Sequence, residues 1–122
     1  MAVRIINLSN TYDIEENEVL IRVHRPRALG NPFILINEAG RDEVCDKYQQ
    51  YFDDIVDRYK YGGCEAMSDS ELDREQKFMD ELHRIQWHLA QGKDVVLACF
   101  CAPRRCHSET IKAYLENESV HN

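Results

Sequence analysis

Lys93-Asp94-Val95-Val96-Leu97-Ala98-Cys99-Phe100-Cys101-Ala102-Pro103-Arg104-Arg105-Cys106-His107 contains the run that decides the fold. Val95 to Phe100 is unbroken apolar sequence, the pattern of a strand buried on both faces and therefore central in a sheet. Outward from it, Val3–Leu8 alternates well enough for a second strand, and Val19–Val23 is a β-branched run that fits a third. Val44, Tyr48, Tyr51, Phe52, Ile55, Val56 and Tyr59 recur at three- and four-residue steps and predict a helix over 41–60, stopped by Gly62-Gly63. Ser68 and Glu71 have capping-box spacing ahead of Leu72, Met79, Leu82, Ile85 and Leu89, which predicts a helix over 69–91. Ile111, Tyr114 and Leu115 suit a last helix over 107–117, with a frayed tail from Glu116. The expected fold is a single α/β domain, with a small, mostly parallel sheet centred on Val95–Phe100.

With 122 residues, 43% of them apolar, the chain has room for one domain spanning 1–122. A domain of that size buries enough surface to fold without disulfides or a structural metal. Fifteen basic against 22 acidic residues give a net charge of −7, which argues against a surface that binds nucleic acid directly by neutralising phosphates. Met1 to Asn10 lacks the apolar core of a signal peptide, and no stretch approaches a membrane span, so the expected location is the cytoplasm, a host's if the chain is viral. In a reducing compartment the five cysteines read as free thiols, metal ligands or catalytic groups before they read as a disulfide framework. Cys45, inside a helical pattern, is most simply a small core residue.

The Cys-rich turn from Cys99 to His107 falls where a buried strand gives way to a helix. Open α/β sheets bind ligands beyond the carboxyl ends of their strands, and a helix amino terminus offers free N–H groups to an anion. Three chemistries compete for the turn. It is a phosphate or carboxylate cradle built from Arg104, Arg105, His107 and backbone amides. Or it is a thiolate centre, with Cys101 or Cys106 as nucleophile and His107 as acid/base. Or it is a metal site of Cys99, Cys101, Cys106 and His107, against which stands a spacing unlike paired C-x2-C knuckles. Beside all three stands the plain alternative that Cys99 and Cys101 are small residues buried beneath a tight turn. No metal and no cofactor is expected.

His24 and Arg25 follow the second strand directly, so a parallel sheet would bring them beside this turn as a second wall; Arg25 would otherwise only tie down its own loop. Asn31, ahead of Pro32, either reads a ligand or satisfies a buried backbone group. Ser9 and Asn10 end the first strand and are polar enough to meet a ribose, although ordinary turn residues look the same. His83 and His88 lie five apart on a helix, hence on different faces, which argues against a paired metal site. Tyr48, Tyr51, Tyr59 and Tyr61 read as core and rim aromatics. Glu15, Glu16 and Glu18 read as a solvated face, which permits an acidic inhibitor that occupies a host protein's basic groove.

Two motifs in order, Arg25-Pro26-x-x-Leu29-Gly30-Asn31-Pro32-Phe33 and Cys99-x-Cys101-x-Pro103-x-x-Cys106-His107, resemble the family of domain of unknown function 4326, frequent in phages and bacteria. The resemblance runs from about Leu20 to Leu115, and the closing turn is also similar to that of family 488. It implies a small Rossmann-like domain with three layers, often virus-encoded, and no established reaction. The chain departs from the pattern at Ser108, where relatives have glycine, and in the Arg104-Arg105 pair. The expected function is binding of a nucleotide or nucleotide-derived molecule, as in a phage protein countering a host defence. The alternatives are a cysteine-dependent enzyme on a similar or phosphorylated substrate and the acidic inhibitor. A homo-oligomer or a host-protein partner stays open.

Overall fold

The computed structural model describes residues 2–102 and 104–121, with side chains as far as 117. Pro103 of the Cys-rich turn lies outside the described residues. Three strands, β1 (Val3–Asn7), β2 (Glu18–Arg22) and β3 (Asp94–Cys99), alternate with three helices, α1 (Arg41–Tyr61), α2 (Asp69–Ala90) and α3 (Ser108–His121), and a short 3-10 turn at Glu38–Gly40 precedes α1. The sheet is parallel throughout, in the order β1-β3-β2. β3 is therefore the middle strand, and every residue from Val95 to Cys99 is buried, as its unbroken apolar run demands.

Element boundaries follow local chemistry. α1 runs through Tyr61 and stops at Gly62, whose φ of 88° lies where other residues are strained. α2 starts at the expected capping box: Glu71 N–H donates to Ser68 Oγ, and Ser68 N–H donates to the Glu71 carboxylate. Leu72, expected in the buried stripe, is 38% exposed in the first turn, while Phe78 is fully buried. α3 begins at Ser108, one residue after the expected start, and its backbone stays helical to His121 where fraying was expected. Leu8 and Val23 lie just past β1 and β2, yet their N–H groups still donate to the Cys99 and Ala98 carbonyls, so the ladders extend to the expected ends.

Packing divides the sheet into unequal faces. Val3, Ile21, Val95, Leu97 and Cys99 meet Phe52 and Ile55 of α1, Phe78, Leu82 and Ile85 of α2, and Ile111 and Leu115 of α3 in one large cluster. On the other face Ile6, Val96 and Ala98 meet only Leu20 of β2 and Leu8 and Tyr12 of the β1–β2 connection. No helix supplies a side chain to that smaller cluster among the described residues, so the helical layer expected on each face of a Rossmann-like domain is not reproduced. The physical reason lies in the β1–β2 crossover, which is made by an irregular connection and so brings no helix to that face.

Glu18 is not the free acid expected of a solvated face. Its carboxylate takes the Arg4 guanidinium at 2.7 and 2.9 Å and the Glu15 N–H at 2.9 Å, and the Arg4 hydrogen bonds chiefly hold its pKa down to about 2. Cys45 is buried as expected, and Cys64 sits half-buried in the α1–α2 connection. No helix among the described residues is long and apolar enough to cross a membrane.

Candidate functional site

Parallel register brings Asn7 level with Cys99, and Arg22 level with Ala98, so all three strands end at one edge. The chain leaving β2 and the chain leaving β3 consequently face each other there. Between them opens a pocket of about 220 Å³. His24, Arg25, Asn31, Phe33 and Leu35 line it from the β2–α1 loop, Arg41, Val44 and Cys45 from α1, and Cys99, Phe100, Cys101, Cys106 and His107 from the Cys-rich turn.

Two anchors hold these walls. Asn7 Nδ2 donates to the carbonyls of Phe100 (3.2 Å) and Ala102 (2.8 Å), while its Oδ1 accepts from Ser9 N–H, so β1 pins the turn after β3. The loop after β2 folds back through Arg27 N–H to His24 O and Gly30 N–H to Arg27 O. Gly30 suits that turn, because a Cβ there would lie 3.0 Å from the Arg25 backbone and from the Arg27 carbonyl and would push the backbone apart. The Arg25–Pro26 peptide is cis. Tyr48, fully buried in α1, donates its hydroxyl to Leu29 O at 2.7 Å and ties the loop to the helix.

The floor is a sulfur–imidazole cluster. His107 Nε2 lies 2.6 Å from Val23 O; a carbonyl only accepts, so the proton sits on Nε2 and Nδ1 carries a lone pair. That Nδ1 is 3.3 Å from Cys106 Sγ, which also lies 3.4 Å from Cys99 Sγ and 3.5 Å from Ser108 Oγ. Burial pushes the His107 pKa down and keeps the ring neutral, in line with that tautomer. The Cys99 thiol, as a donor to a Cys106 thiolate, draws the Cys106 pKa down despite burial and is itself raised in turn. With Cys106 as a thiol, its proton has Cys99 Sγ and His107 Nδ1 in reach. Among the described residues no three His, Cys, Asp or Glu side chains are arranged to hold a metal ion.

Of the residues singled out from sequence, His24, Arg25, Asn31, Cys99, Cys101, Cys106 and His107 come together around the pocket. His24 packs its ring 5.1 Å from that of Phe100, and its Nδ1 contacts Arg25 O at 2.7 Å. Asn31 spends its side chain on the backbone, accepting from Phe33 N–H at 2.9 Å and reaching Val44 O at 3.4 Å. Arg25 is exposed, and no hydrogen bond or ion pair engages its guanidinium among the described residues.

The others lie elsewhere. Ser9 and Asn10 form the exposed turn after β1 and do not line the pocket. Arg104 and Arg105 also stay outside the lining. Arg104 pairs with Glu38 at 2.7 Å, and Arg105 pairs with Asp42 at 3.1 Å and Asp46 at 2.8 Å, so both reach away to an acidic ridge leading into α1. Arg41, whose side chain is only 12% exposed, gives no sign of a site role in the sequence. Its guanidinium takes Glu38 at 2.7 and 2.8 Å and donates to Arg105 O at 3.0 Å, and the Glu38 hydrogen bonds raise its pKa. The Phe33, Leu35 and Val44 wall has one visible sign in the sequence, the alternation Phe33-Ile34-Leu35-Ile36, with Ile34 and Ile36 exposed.

The family model described as Domain of unknown function (DUF4326) matches residues 6–117. The chain belongs to this family. The DUF4326 match runs from inside β1 into α3, beyond the span on which the resemblance was read, and takes in both walls of the pocket. Neither a curated protein nor a solved structure matches the chain.

Proposed function

We propose that this pocket binds a small anionic ligand of nucleotide type, with Arg25 as its principal charged contact. The observation that carries the reading is a guanidinium, unpaired among the described residues, on the rim of an open, mostly apolar pocket at the strand carboxyl ends. In a chain of net charge −7, an arginine without a carboxylate partner beside a pocket is poised to take an external anion. His24 and Phe100 next to it offer aromatic surface to a base, and Arg41, already bound to Glu38, adds a second, partly neutralised charge. At about 220 Å³ the pocket is smaller than the roughly 300–1,000 Å³ of sites that enclose a drug-sized ligand, so it suits part of a nucleotide and leaves the rest at the open side.

Calorimetric titration with nucleoside mono-, di- and triphosphates and cyclic nucleotides, followed by mass spectrometry of the recovered ligand, tests this. At least one should bind, and Arg25→Gln should weaken it tenfold or more, the loss of one charge-assisted contact of about 1.5–3 kcal/mol. Arg104→Ala should change affinity little. Absence of binding at millimolar nucleotide, or an Arg25→Gln variant that binds like the parent, overturns the proposal.

A second reading, a cysteine-dependent enzyme on the same ligand class, is favoured by one feature: Cys106, His107 and the Val23 carbonyl stand in the order nucleophile, base, orienting group. On that reading Cys106 is the thiolate and His107 its proton acceptor. A ligand recovered chemically altered, with the change abolished in Cys106→Ala, would select the enzyme over the binding module.

A further inference from the structure

We propose that Cys106 and Cys99 form a redox-active dithiol on the pocket floor that reacts with small hydroperoxides and closes to a disulfide. The sulfur atoms are 3.4 Å apart, each thiol lines the same pocket, and a lone-pair nitrogen, His107 Nδ1, lies 3.3 Å from the Cys106 sulfur. A disulfide bond needs about 2.05 Å, so closure requires the two side chains to rotate toward each other from contact distance. Both side chains are otherwise enclosed, so only a reagent small enough to enter the pocket reaches them. The inference stands whether or not a nucleotide binds above.

The chemistry balances with the hydroperoxide as oxidant. Cys106 passes its thiol proton to His107 Nδ1, and the thiolate attacks the terminal peroxide oxygen. The S–O bond forms, the O–O bond breaks, and the leaving alkoxide or hydroxide takes the proton back from His107. The product is Cys106 sulfenic acid and an alcohol or water. The Cys99 sulfur then attacks the Cys106 sulfur, the S–O bond breaks, and the departing hydroxide leaves as water with the Cys99 proton. Two thiols and one hydroperoxide become one disulfide, one alcohol or water, and one further water.

Cys101 is the rival resolving thiol, since it lines the same pocket and is less enclosed than Cys99. Position separates the two: Cys99 Sγ lies 3.4 Å from Cys106 Sγ, whereas no hydrogen bond among the described residues joins Cys101 Sγ to Cys106.

The test uses the folded, fully reduced chain and hydrogen peroxide at one equivalent, quenched by alkylation under denaturing conditions. Intact mass should show the loss of two hydrogen atoms and two fewer alkylated thiols. Trypsin cuts after Lys93, Arg104, Arg105 and Lys112, so the disulfide should join peptide 94–104 to peptide 106–112. The link should persist in Cys101→Ser, be reversed by dithiothreitol, and form at least tenfold faster than oxidation of free cysteine at the same pH. Cys99→Ala should stop at a sulfenic acid on Cys106 that dimedone traps, and Cys106→Ala should give neither product. A link that survives in Cys99→Ala and vanishes in Cys101→Ser overturns the pairing. No link in the parent chain, or oxidation no faster than that of free cysteine, overturns the dithiol altogether, and both of these are read without any variant.

Discussion

His107 joins the two walls of the pocket through its two ring nitrogens, one on the Val23 carbonyl at the end of β2 and the other on Cys106 ahead of α3. Its neutrality is a stability matter. Burial lowers its folded-state pKa below the ordinary value of about 6.5, so between those two values the unfolded chain holds more protons than the folded one. Stability from this residue is therefore complete above about pH 6.5 and is lost as pH falls through that window. Denaturant unfolding at pH 7.5 and at pH 5.5 should show the parent losing more stability on acidification than His107→Gln, which keeps an N–H donor for Val23 but does not titrate. Equal losses in the two proteins would mean that His107 is not held neutral by the fold. Asn7 works at the same scale without titrating: one amide holds the carbonyls of Phe100 and Ala102, and so places Phe100 and Cys101 at the pocket wall.

Among the elements, α2 has the most locally determined start. The Ser68–Glu71 box satisfies one N–H at each of two positions that the helix itself leaves unpaired, and the Ser68 contacts lower the Glu71 pKa. Ser68→Ala should cost about 1 kcal/mol of global stability, measured by chemical denaturation, and should leave any ligand affinity untouched, because α2 lines no part of the pocket. A variant as stable as the parent would show that packing alone starts the helix. Further along, α1 and α2 are joined by a bidentate pair, Arg58 on the nearly buried Glu75 at 2.7 and 3.0 Å, which explains how an acidic residue sits on the inner face of α2. α1 carries two tasks on opposite sides. Phe52 and Ile55 pack in the main core, while Glu38 just before α1 and Asp42 and Asp46 within it gather the arginines of the Cys-rich turn.

For the molecule as a whole, the unequal faces of the sheet set where stability resides. Leu97 is fully buried among the helices, so Leu97→Ala should remove about 2–5 kcal/mol through lost transfer energy and the cavity left behind. Leu20 is only half-buried against a face covered by a connection, and Leu20→Ala should cost about 1 kcal/mol. Equal costs in equilibrium unfolding would contradict the one-sided core. The same asymmetry bears on the pocket. It lies on the helix-covered side, where Cys99 joins the large cluster, and so its floor rests on the best-packed part of the domain while its rim is a loop.

By itself the sequence determined everything that depends on one element's own pattern. An apolar run without alternation has no solvent face, which put Val95–Cys99 in the middle of the sheet. Three- and four-residue steps set the helices, Gly62 ended α1 and Ser68 began α2. Parallel order, once expected, was enough to carry His24 and Arg25 to the Cys-rich turn. Only the tertiary structure decided which polar groups meet. Arg104 and Arg105 looked like the charges of an anion cradle because their neighbours in sequence are a strand end and a helix start, yet their partners lie 59 to 66 residues away. Likewise Arg41, read as the start of a helix, became a pocket wall, and the His107 ring found the Val23 carbonyl 84 residues away. Periodicity encodes the direction in which an element buries its side chains, but an ion pair or an imidazole–carbonyl contact depends on how two elements are rotated and offset against each other. That relation is set by the packing of the shared core, to which every residue contributes and which no local stretch records.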